Sequence, residues 1–243
     1  MTQRVAVVTG GTGGLGSAIC KALARAGRRV IAADLPARFA DFQNESHALD
    51  IHFEPLDVGD FDACGAFIER VQLQHGSLDI LINNAGITRD ATLRKMDRAQ
   101  WDAVLDINLS GAFNLCRHAV DGMLSRRFGR IVNISSVSGQ TGNFGQTNYA
   151  AAKAGLHGLT MSLAREVAAK GITVNSVSPG YIDTGMTQAM PAEVRERTIA
   201  SVPVGRIGEP SDIARTVAFL SDDAAGYITG ANIPVNGGLF MSF

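Results

Sequence analysis

The chain has 243 residues, of which 46% are hydrophobic and 19% charged, so it contains enough apolar material for a large core. Lys and Arg number 22 against 23 Asp and Glu, and the resulting formal charge of −1 argues against a basic surface for nucleic acid or an anionic membrane. No apolar run reaches the length of a membrane span, and the first residues, MTQRVAVVTGG, enter a strand pattern without a leader segment. We therefore expect a cytoplasmic protein with no nucleic-acid or membrane partner.

The cysteines and histidines are scattered in a way that argues against disulfides and metal sites. Cys20, Cys64 and Cys116 stand far apart without CxxC spacing, and they are predicted to be small buried side chains in a reducing compartment. The five histidines form no HxH or HExxH arrangement, so the sequence predicts no metal ligands.

Short β-rich runs alternate with longer helical patterns along nearly the whole chain. The predicted strands are 4–9, 29–33, 51–56, 78–82, 129–135, 172–177 and 231–235. The predicted helices are 14–26, 60–75, 97–125, 147–169 and 211–221. Runs such as VAVV and ILI are apolar throughout, which is typical of parallel strands covered on both faces. We therefore predict an α/β fold with a doubly wound parallel sheet flanked by helices, in a single domain over 1–243.

The segment 179–203, PGYIDTGMTQAMPAEVRERTIASVP, is the longest one without a convincing strand or helix of its own. It contains three prolines, and its pattern predicts a short helix over 191–200. Segments of this length beyond a strand end are commonly mobile lids over a binding site, which is the role we expect here.

The first predicted strand runs into the first helix through a glycine-rich turn, VVTGGTGGLG. Glycine permits positive φ angles and lets backbone N–H groups approach a pyrophosphate at the helix N-terminus. The match to GxGxxG is weak by itself and also fits a simple tight turn, but its place between strand and helix favours a dinucleotide site. The candidate contacts are Gly10, Gly13, Gly14, Leu15 and Gly16.

The second predicted strand leads to Asp34, an acidic residue at about the spacing from Gly16 at which a carboxylate binds the adenosine ribose hydroxyls. The same carboxylate would repel a 2′-phosphate. Asp34 therefore favours NADH over NADPH, although it also fits a polar strand end before Pro36. Arg38 keeps NADPH possible, because a nearby arginine can accept the 2′-phosphate.

Tyr149 and Lys153 stand four residues apart in TNYAAAKAG, within a predicted helix. At this spacing their side chains lie on the same helix face, one turn apart. By itself the pair also fits a chance arrangement on a solvated helix face. A cofactor site elsewhere in the chain is needed to favour a catalytic pair.

Five motifs occur in order along the chain, TGGTGGLG, NNAG, NISS, YAAAK and SPG, and together they resemble the short-chain dehydrogenase/reductase family over essentially the full length. The resemblance implies a Rossmann-type sheet of about seven parallel strands, a nicotinamide cofactor and a homotetramer. It implies four catalytic residues, Asn108, Ser136, Tyr149 and Lys153. Besides the glycine-rich turn and Asp34, the implied cofactor contacts are Asp57, Val58, Asn84, Ala85, Gly86, Tyr149, Lys153, Pro179, Gly180 and Ile182.

The chemistry of such a reductase explains these residue types. Hydride transfer to a ketone builds negative charge on the carbonyl oxygen, which then needs hydrogen bonds and a proton. Ser136 would donate a hydrogen bond and Tyr149 the proton, and we expect the Lys153 ammonium to lower the phenol pKa from its usual value of about 10. In the family the lysine also holds the nicotinamide ribose, and the asparagine, here Asn108, continues a water-linked proton relay.

Within the family, NNAGITRDATLRKM, GQTNYAAAKAGLHG and the ending NGGLFMSF are similar to the reductases of acetoacetyl-CoA and to those of 3-oxoacyl carrier proteins. The implied reaction is reduction of an acyl-CoA substrate, acetoacetyl-CoA, to (R)-3-hydroxybutyryl-CoA in polyhydroxyalkanoate synthesis. The candidate substrate contacts are Ser136, Phe144, Gln146, Tyr149 and Tyr181, of which Phe144, Gln146 and Tyr181 also fit ordinary loop packing.

Two other functions stay open at this point. A 3-oxoacyl-carrier-protein reductase of fatty-acid synthesis would dock its acidic partner on basic residues, for which Arg127 and Lys170 are the candidates. A dinucleotide-sensing protein without catalysis would be expected to lack the tyrosine or the lysine, and neither is substituted here.

The two longest predicted helices carry apolar residues on more than one face. These residues are Val104, Leu105, Phe113, Leu115, Leu156, Leu159, Met161 and Leu163. One face must cover the sheet, so the other face is left for a partner helix. This pattern agrees with the homotetramer that the family resemblance implies.

Overall fold

The computed structural model describes residues 3–43, 49–188 and 192–241. Within them, seven parallel strands form one sheet in the order β3-β2-β1-β4-β5-β6-β7. The strands are β1 (Val5–Thr9), β2 (Arg29–Asp34), β3 (Ile51–Pro55), β4 (Ile80–Asn83), β5 (Gly129–Ile134), β6 (Ile172–Pro179) and β7 (Asn232–Val235). The predicted Rossmann-type doubly wound sheet is confirmed, and each strand ends within about two residues of its expected bounds.

Helices cover the sheet on both faces. In the described part of the chain they are α1 (Gly14–Arg25), α2 (Phe39–Gln43), α3 (Phe61–His75), α4 (Arg98–Leu105), α5 (Gly111–Arg126), α6 (Ser138–Thr141), α7 (Thr147–Val167), α8 (Gly185–Gln188), α9 (Ala192–Ser201) and α10 (Pro210–Leu220). The short helices α2, α6 and α8 were not predicted, because one turn is too short to show a helical period. Among the described residues, no helix is long and apolar enough to cross a membrane.

The apolar core forms two clusters, one on each face of the sheet. In β1, Val5 and Val7 belong to the cluster under α3, α5 and α7, whereas Ala6 and Val8 belong to the cluster under α1 and α10. The unbroken run VAVV therefore reflects burial on both faces, as predicted. Each fully buried valine or isoleucine contributes roughly 1.5–3 kcal/mol, so the strands are held firmly and their ends are rigid supports.

The strand order reverses beside β1, because β2 and β3 extend to one side and β4 to β7 to the other. At such a point the chain leaves neighbouring strands in opposite directions, and a crevice opens at their carboxyl ends. The glycine-rich turn after β1 and the NNAG segment, which begins with the last residue of β4, lie side by side there. The carboxyl ends of these strands are therefore the expected place for a ligand.

The single long helix predicted at 97–125 is interrupted. α4 passes into a π turn over Asp106–Ser110, and α5 follows directly. Within the π turn, Asn108 donates from Nδ2 to the carbonyl oxygens of Val104 and Ile87, both at 2.9 Å. The side chain thus competes with the regular helix hydrogen bonds, which is a common cause of such an interruption and often marks a functional site.

The segment 179–203 contains the end of β6 and the two helices α8 and α9. The short helix predicted over 191–200 corresponds to α9, while residues 189–191 lie outside the described part of the chain. That this segment acts as a mobile lid stays a prediction.

Candidate active site

The glycine-rich turn joins β1 to α1 by a path that only glycine permits at several points. Gly10 has a φ of +60°, and a Cβ on Gly16 would overlap the carbonyl oxygen of Gly10. By contrast, a Cβ on Gly13 or Gly14 would find nothing closer than 3.5 Å. Gly10 and Gly16 are thus required by the chain's own packing, whereas Gly13 and Gly14 border open space.

The start of α1 is suited to an anion. Gly13, which precedes the helix, has no side chain to cap the first N–H groups, and residues 14–17 include no acidic side chain. Leu15 lies in the same first turn. Unpaired N–H groups and the positive end of the helix dipole therefore remain for a ligand such as a pyrophosphate.

The NNAG segment fastens this turn to β4. Asn84 donates from Nδ2 to the carbonyl oxygens of Thr9 (2.8 Å) and Gly10 (3.2 Å). In return, Thr9 Oγ1 accepts from the backbone N–H groups of Asn84 and Ala85, both at 3.0 Å. The Asn84 side chain, predicted as a cofactor contact, therefore holds the backbone of the glycine-rich turn in place through its carbonyl groups.

Asp34 ends β2 with its carboxylate turned into the glycine-rich turn. Its Oδ2 accepts from the backbone N–H (3.2 Å) and the hydroxyl (2.5 Å) of Thr12, and its Oδ1 accepts from the N–H of Leu35 (2.9 Å). Arg38 reaches the same place, with Nε 3.4 Å from Thr12 Oγ1. Sequence reasoning missed Thr12, since only the tertiary structure brings it against the end of β2.

Asp57 and Val58 follow β3 at the same edge of the sheet. Asp57 is exposed and accepts from the N–H of Gly59 at 2.9 Å, whereas Val58 is buried and its carbonyl oxygen accepts from Asn114 Nδ2 at 2.9 Å. Both residues therefore stabilise the loop after β3 and border the crevice.

The SPG segment brings the beginning of the predicted lid to the crevice. Pro179 ends β6, and Gly180 packs so closely on Asn236 that a Cβ would lie 2.8 Å from its Cα. Ile182 is buried and pairs with Gly208 in an isolated bridge. Beyond it, the side chain of Thr184 lies about 3.6 Å from the position of a Cβ on Gly14, which sequence reasoning also missed.

Ser136, Tyr149 and Lys153 meet where β5 ends and α7 begins. Ser136 follows β5 and lies close enough to Tyr149 to lower the pKa of its phenol. Lys153, one helical turn beyond Tyr149, is 3% exposed and donates from Nζ to the carbonyl oxygen of Ile134 at 2.8 Å. Its Nζ lies 5.5 Å from the centre of the Tyr149 ring. The structure thus brings the predicted serine, tyrosine and lysine together.

Asn108 joins this group through the π turn. Its Oδ1 is buried without a hydrogen-bond partner among the described residues. A Cβ on Gly86 would lie 2.6 Å from Asn108 Oδ1 and 3.4 Å from Lys153 Nζ, so glycine is needed to keep this space clear. A buried acceptor without a partner next to an ammonium fits a bound polar group, such as a ribose hydroxyl or a water molecule.

The expectation that Lys153 lowers the phenol pKa is wrong for the chain by itself. Burial raises the pKa of Tyr149 above its usual value, a hydrogen bond with Ser136 opposes this, and the negative charge of Asp90 adds to it. Burial also lowers the pKa of Lys153 to about 8. The ammonium donates to the carbonyl oxygen of Ile134, and burial is the largest cause of the pKa shift at both residues.

The predicted substrate contacts have different surroundings in the described part of the chain. Phe144 is 88% exposed, and Gln146 is held by Asp90 (2.9 Å) and Asn143 (3.0 Å). Tyr181 lines a cavity of about 310 Å³ under the segment 202–208, beside the end of β7. Ser136 and Tyr149 belong to the catalytic cluster itself, and substrate contacts of Phe144, Gln146 and Tyr181 stay predictions.

The two basic residues considered for a carrier protein lie at the amino ends of the strands, opposite the carboxyl ends where the catalytic cluster lies. Arg127 stands just before β5 and Lys170 just before β6, and Arg127 donates to the carbonyl oxygen of Ala169 at 3.5 Å. Ser136 follows the opposite end of β5, roughly 20 Å away along a strand of this length. Within one chain, these residues are therefore not beside the catalytic cluster.

A Rossmann-type sheet with a glycine turn suited to an anion, a carboxylate at the end of β2 and a serine–tyrosine–lysine cluster defines a nicotinamide-dependent oxidoreductase. The model of the family described as Enoyl-(Acyl carrier protein) reductase matches residues 10–240. The chain belongs to the short-chain dehydrogenase/reductase family.

Relatives of known function cover the chain almost completely. The acetoacetyl-CoA reductase of Allochromatium vinosum is 51% identical, over 98% of this chain and 99% of its own length. The acetoacetyl-CoA reductase of Cupriavidus necator is 52% identical, over 99% of this chain and 100% of its own length. The 3-oxoacyl-[acyl-carrier-protein] reductase of Haemophilus influenzae is 44% identical, over 100% of both chains.

The buried ammonium of Lys153 should cost stability. A pKa lowered from 10.5 to about 8 corresponds to about 3 kcal/mol against the charged form in the folded state. We expect Lys153→Met to raise the free energy of unfolding by about 1–3 kcal/mol at pH 7, because the charge no longer has to be buried.

This gain in the free energy of unfolding should be complete below pH 8 and should fall toward zero as the pH rises through 10.5. Between these pH values Lys153 of the wild type is protonated in the unfolded chain but neutral in the folded protein. Urea unfolding at several pH values measures it. Lys95→Met, at an exposed position, is the control and should change stability little. A less stable Lys153→Met protein at pH 7 would contradict the prediction.

Proposed function

We propose that the protein reduces acetoacetyl-CoA to (R)-3-hydroxybutyryl-CoA with NADH. The observation that carries the proposal is the cluster of Ser136, Tyr149 and Lys153 on the same sheet edge as the glycine-rich turn. Relatives named as acetoacetyl-CoA reductases, 51–52% identical over nearly the full chain, support this choice of substrate.

The chain offers a holding group for each part of a nicotinamide dinucleotide. The N–H groups at the start of α1 suit the pyrophosphate, and Asp34 suits the adenosine ribose hydroxyls. Lys153 and the unpartnered Asn108 Oδ1 suit the polar groups of the nicotinamide half. When bound, the cofactor supplies the hydride.

The protein's own groups then handle the charge and the proton at the ketone oxygen. Ser136 lies close enough to Tyr149 to lower its pKa, so both hydroxyls can converge on one carbonyl oxygen. Tyr149 gives up its proton as negative charge develops there. Lys153 stands one turn away, where its positive charge offsets part of the cost that burial adds to the phenolate, and Asn108 offers an acceptor through which a proton can be resupplied.

The choice of NADH rests on Asp34. Its carboxylate stands at the end of β2 and already organises Thr12 in the glycine-rich turn. A 2′-phosphate placed beside it would meet like charge, with repulsion on the order of 1–3 kcal/mol. Arg38, within reach of Thr12, is the group that could favour NADPH instead.

The coenzyme A ester is preferred to the carrier-protein ester for a second reason. A carrier protein docked on Arg127 and Lys170 would sit at the amino ends of the strands, whereas the catalytic cluster of the same chain lies at their carboxyl ends. It could serve only the site of a neighbouring subunit. A free thioester needs no such surface.

We also propose a homotetramer. The apolar side chains of Phe113 on α5, Met161 on α7 and Phe219 on α10 are 49%, 52% and 57% exposed. They lie on helix faces turned away from the sheet, where a second copy would bury them. For the cell compartment we propose the cytoplasm, since Cys20, Cys64 and Cys116 are all buried and unpaired in the described chain.

The central test is steady-state reduction of acetoacetyl-CoA by the wild type and by Tyr149→Phe. We expect clear activity in the wild type and a kcat lower by ~10²–10⁴-fold in the variant, because the general acid is lost. Cofactor affinity should stay nearly unchanged. A variant with more than about a tenth of the wild-type turnover would remove Tyr149 from this role, and an inactive wild type that still binds the cofactor would favour the dinucleotide-sensing alternative.

Arg127→Glu separates the two thioester substrates. If the substrate is acetoacetyl-CoA, this change should leave kcat/KM for it within about threefold, which is under ~0.7 kcal/mol. The parallel measurement uses the acetoacetyl ester of an acyl carrier protein. A much higher kcat/KM for the carrier-protein ester in the wild type, which collapses in Arg127→Glu, would assign the enzyme to fatty-acid synthesis.

Removing the carboxylate of Asp34 should raise activity with NADPH. We expect kcat/KM for NADPH relative to NADH to rise by roughly 5- to 150-fold in Asp34→Gly. Asp34→Asn, which keeps the size and removes the charge, should shift the ratio in the same direction. A wild type that already prefers NADPH would show that the role of Asp34 is misassigned.

The oligomer is tested by light scattering at micromolar concentration. We expect a mass near four times the 25.6 kDa of one chain. A charge in the proposed interface, Phe113→Glu, should lower this mass, whereas Arg25→Glu on exposed α1 should leave it unchanged. A stable monomer of the wild type would contradict the proposal.

A further inference from the structure

A chain of polar side chains lies directly behind the catalytic residues. His157, one turn beyond the catalytic lysine on α7, places Nε2 2.8 Å from Ser135 Oγ and 3.3 Å from Ser178 Oγ. Ser178 donates to Asn232 Oδ1 at 2.8 Å, and Ser176 donates to the same oxygen at 3.0 Å. These contacts link α7 to the ends of β5 and β6 and to the start of β7.

The direction of these hydrogen bonds can be worked out from the number of protons. Ser135 donates its hydroxyl proton to the carbonyl oxygen of Lys153 (2.8 Å), and Ser178 donates its own to Asn232 Oδ1. Each hydroxyl has one proton, so toward His157 both oxygens can only accept. The proton between them must therefore be on Nε2 of the imidazole. Burial lowers the pKa of His157, so the ring is neutral near pH 7 and this proton selects the Nε2–H tautomer.

The network acts on the segment that carries the catalytic serine. Three consecutive residues at the end of β5 each contact α7. Ile134 accepts from Lys153 Nζ, Ser135 donates to the carbonyl oxygen of Lys153, and Ser136 lies close enough to Tyr149 to lower its pKa. Of these three residues, Ser135 is the one whose hydroxyl also bonds to His157 Nε2.

We propose that His157 is a positioning residue of the enzyme, which acts through the Ser135 hydroxyl. As an Nε2–H donor it holds the end of β5 in register with α7. That register sets the mutual geometry of the catalytic serine, tyrosine and lysine. The kinetic test below rests on the proposed function, whereas the spectroscopic test does not.

The tautomer is measured by ¹H–¹⁵N NMR of the cofactor-free protein labelled at histidine. The chain has five histidines, and the signals missing from His157→Gln assign the ring. We expect the neutral Nε2–H form at pH 7. A ring protonated at Nδ1 alone would overturn the proposal, because Nε2 would then have no proton to donate.

The kinetic test compares His157→Leu with His157→Gln. Leucine fills the space without a donor, whereas the glutamine amide can place an N–H close to the position of Nε2. We expect the leucine variant to lose about 10- to 100-fold in kcat, with KM for acetoacetyl-CoA and Kd for NADH within about threefold of the wild type. Glutamine should restore kcat to within about threefold. Ser176→Ala, at the far end of the network, is the control and should keep its kcat.

Ser135→Ala is a second variant that removes the same link, and it tests the proposal even if His157→Leu does not fold. It should lower kcat like His157→Leu, and the double variant should be little worse than either single one, since both changes break the same link. Equal turnover in His157→Leu and the wild type would overturn the proposal. The proposal would also be overturned if His157→Gln lost as much kcat as His157→Leu and if the loss in each variant matched its drop in melting temperature. If the wild type does not reduce acetoacetyl-CoA, the proposed function fails while the NMR result still decides the donor role.

Discussion

The hydrogen bond from the Lys153 ammonium to the carbonyl oxygen of Ile134 is the contact on which the site depends. It places a positive charge where water is excluded, so the surrounding structure must hold the charge in one position. Glycine at two neighbouring positions makes room for it. A Cβ on Gly139 would lie 2.8 Å from the backbone of Lys153, and one on Gly86 would lie 3.4 Å from its Nζ.

The sheet explains how residues so far apart in the chain come to surround this charge. Parallel strands all present their carboxyl ends at one edge, so the segments after β1, β2, β4, β5 and β6 meet there. Two apolar clusters hold the strands from both faces, and the loops at that edge therefore start from fixed points. The glycine-rich turn shows the result, since Asn84 ties it to β4 while Asp34 ties it to β2.

Apolar runs and glycine positions were enough to predict the sheet, because burial on both faces leaves a direct mark in the sequence. The catalytic group was predictable from its motifs, and the structure places Ser136, Tyr149 and Lys153 together. Features that depend on three-dimensional neighbours were not predictable. The contacts of Thr12 with Asp34 and of Gln146 with Asp90 join residues that are far apart in sequence. The direction of the Tyr149 pKa was wrong because helical spacing indicates a neighbouring charge but not the loss of water around it.

The π turn over Asp106–Ser110 ties the length of this part of the chain to the site. Such a turn holds one residue more than the α-turn that it replaces, and each helical residue advances the helix by about 100°. Loss of one residue there would let the helix become regular with little rotation of α5 against α4, because both kinds of turn close about one full circle. Leu115 and Met123, now fully buried, would stay in the core, but the π turn that places Asn108 against Ile87 would be lost. Over the course of evolution it is therefore the site, rather than the core, that should resist a deletion in this stretch.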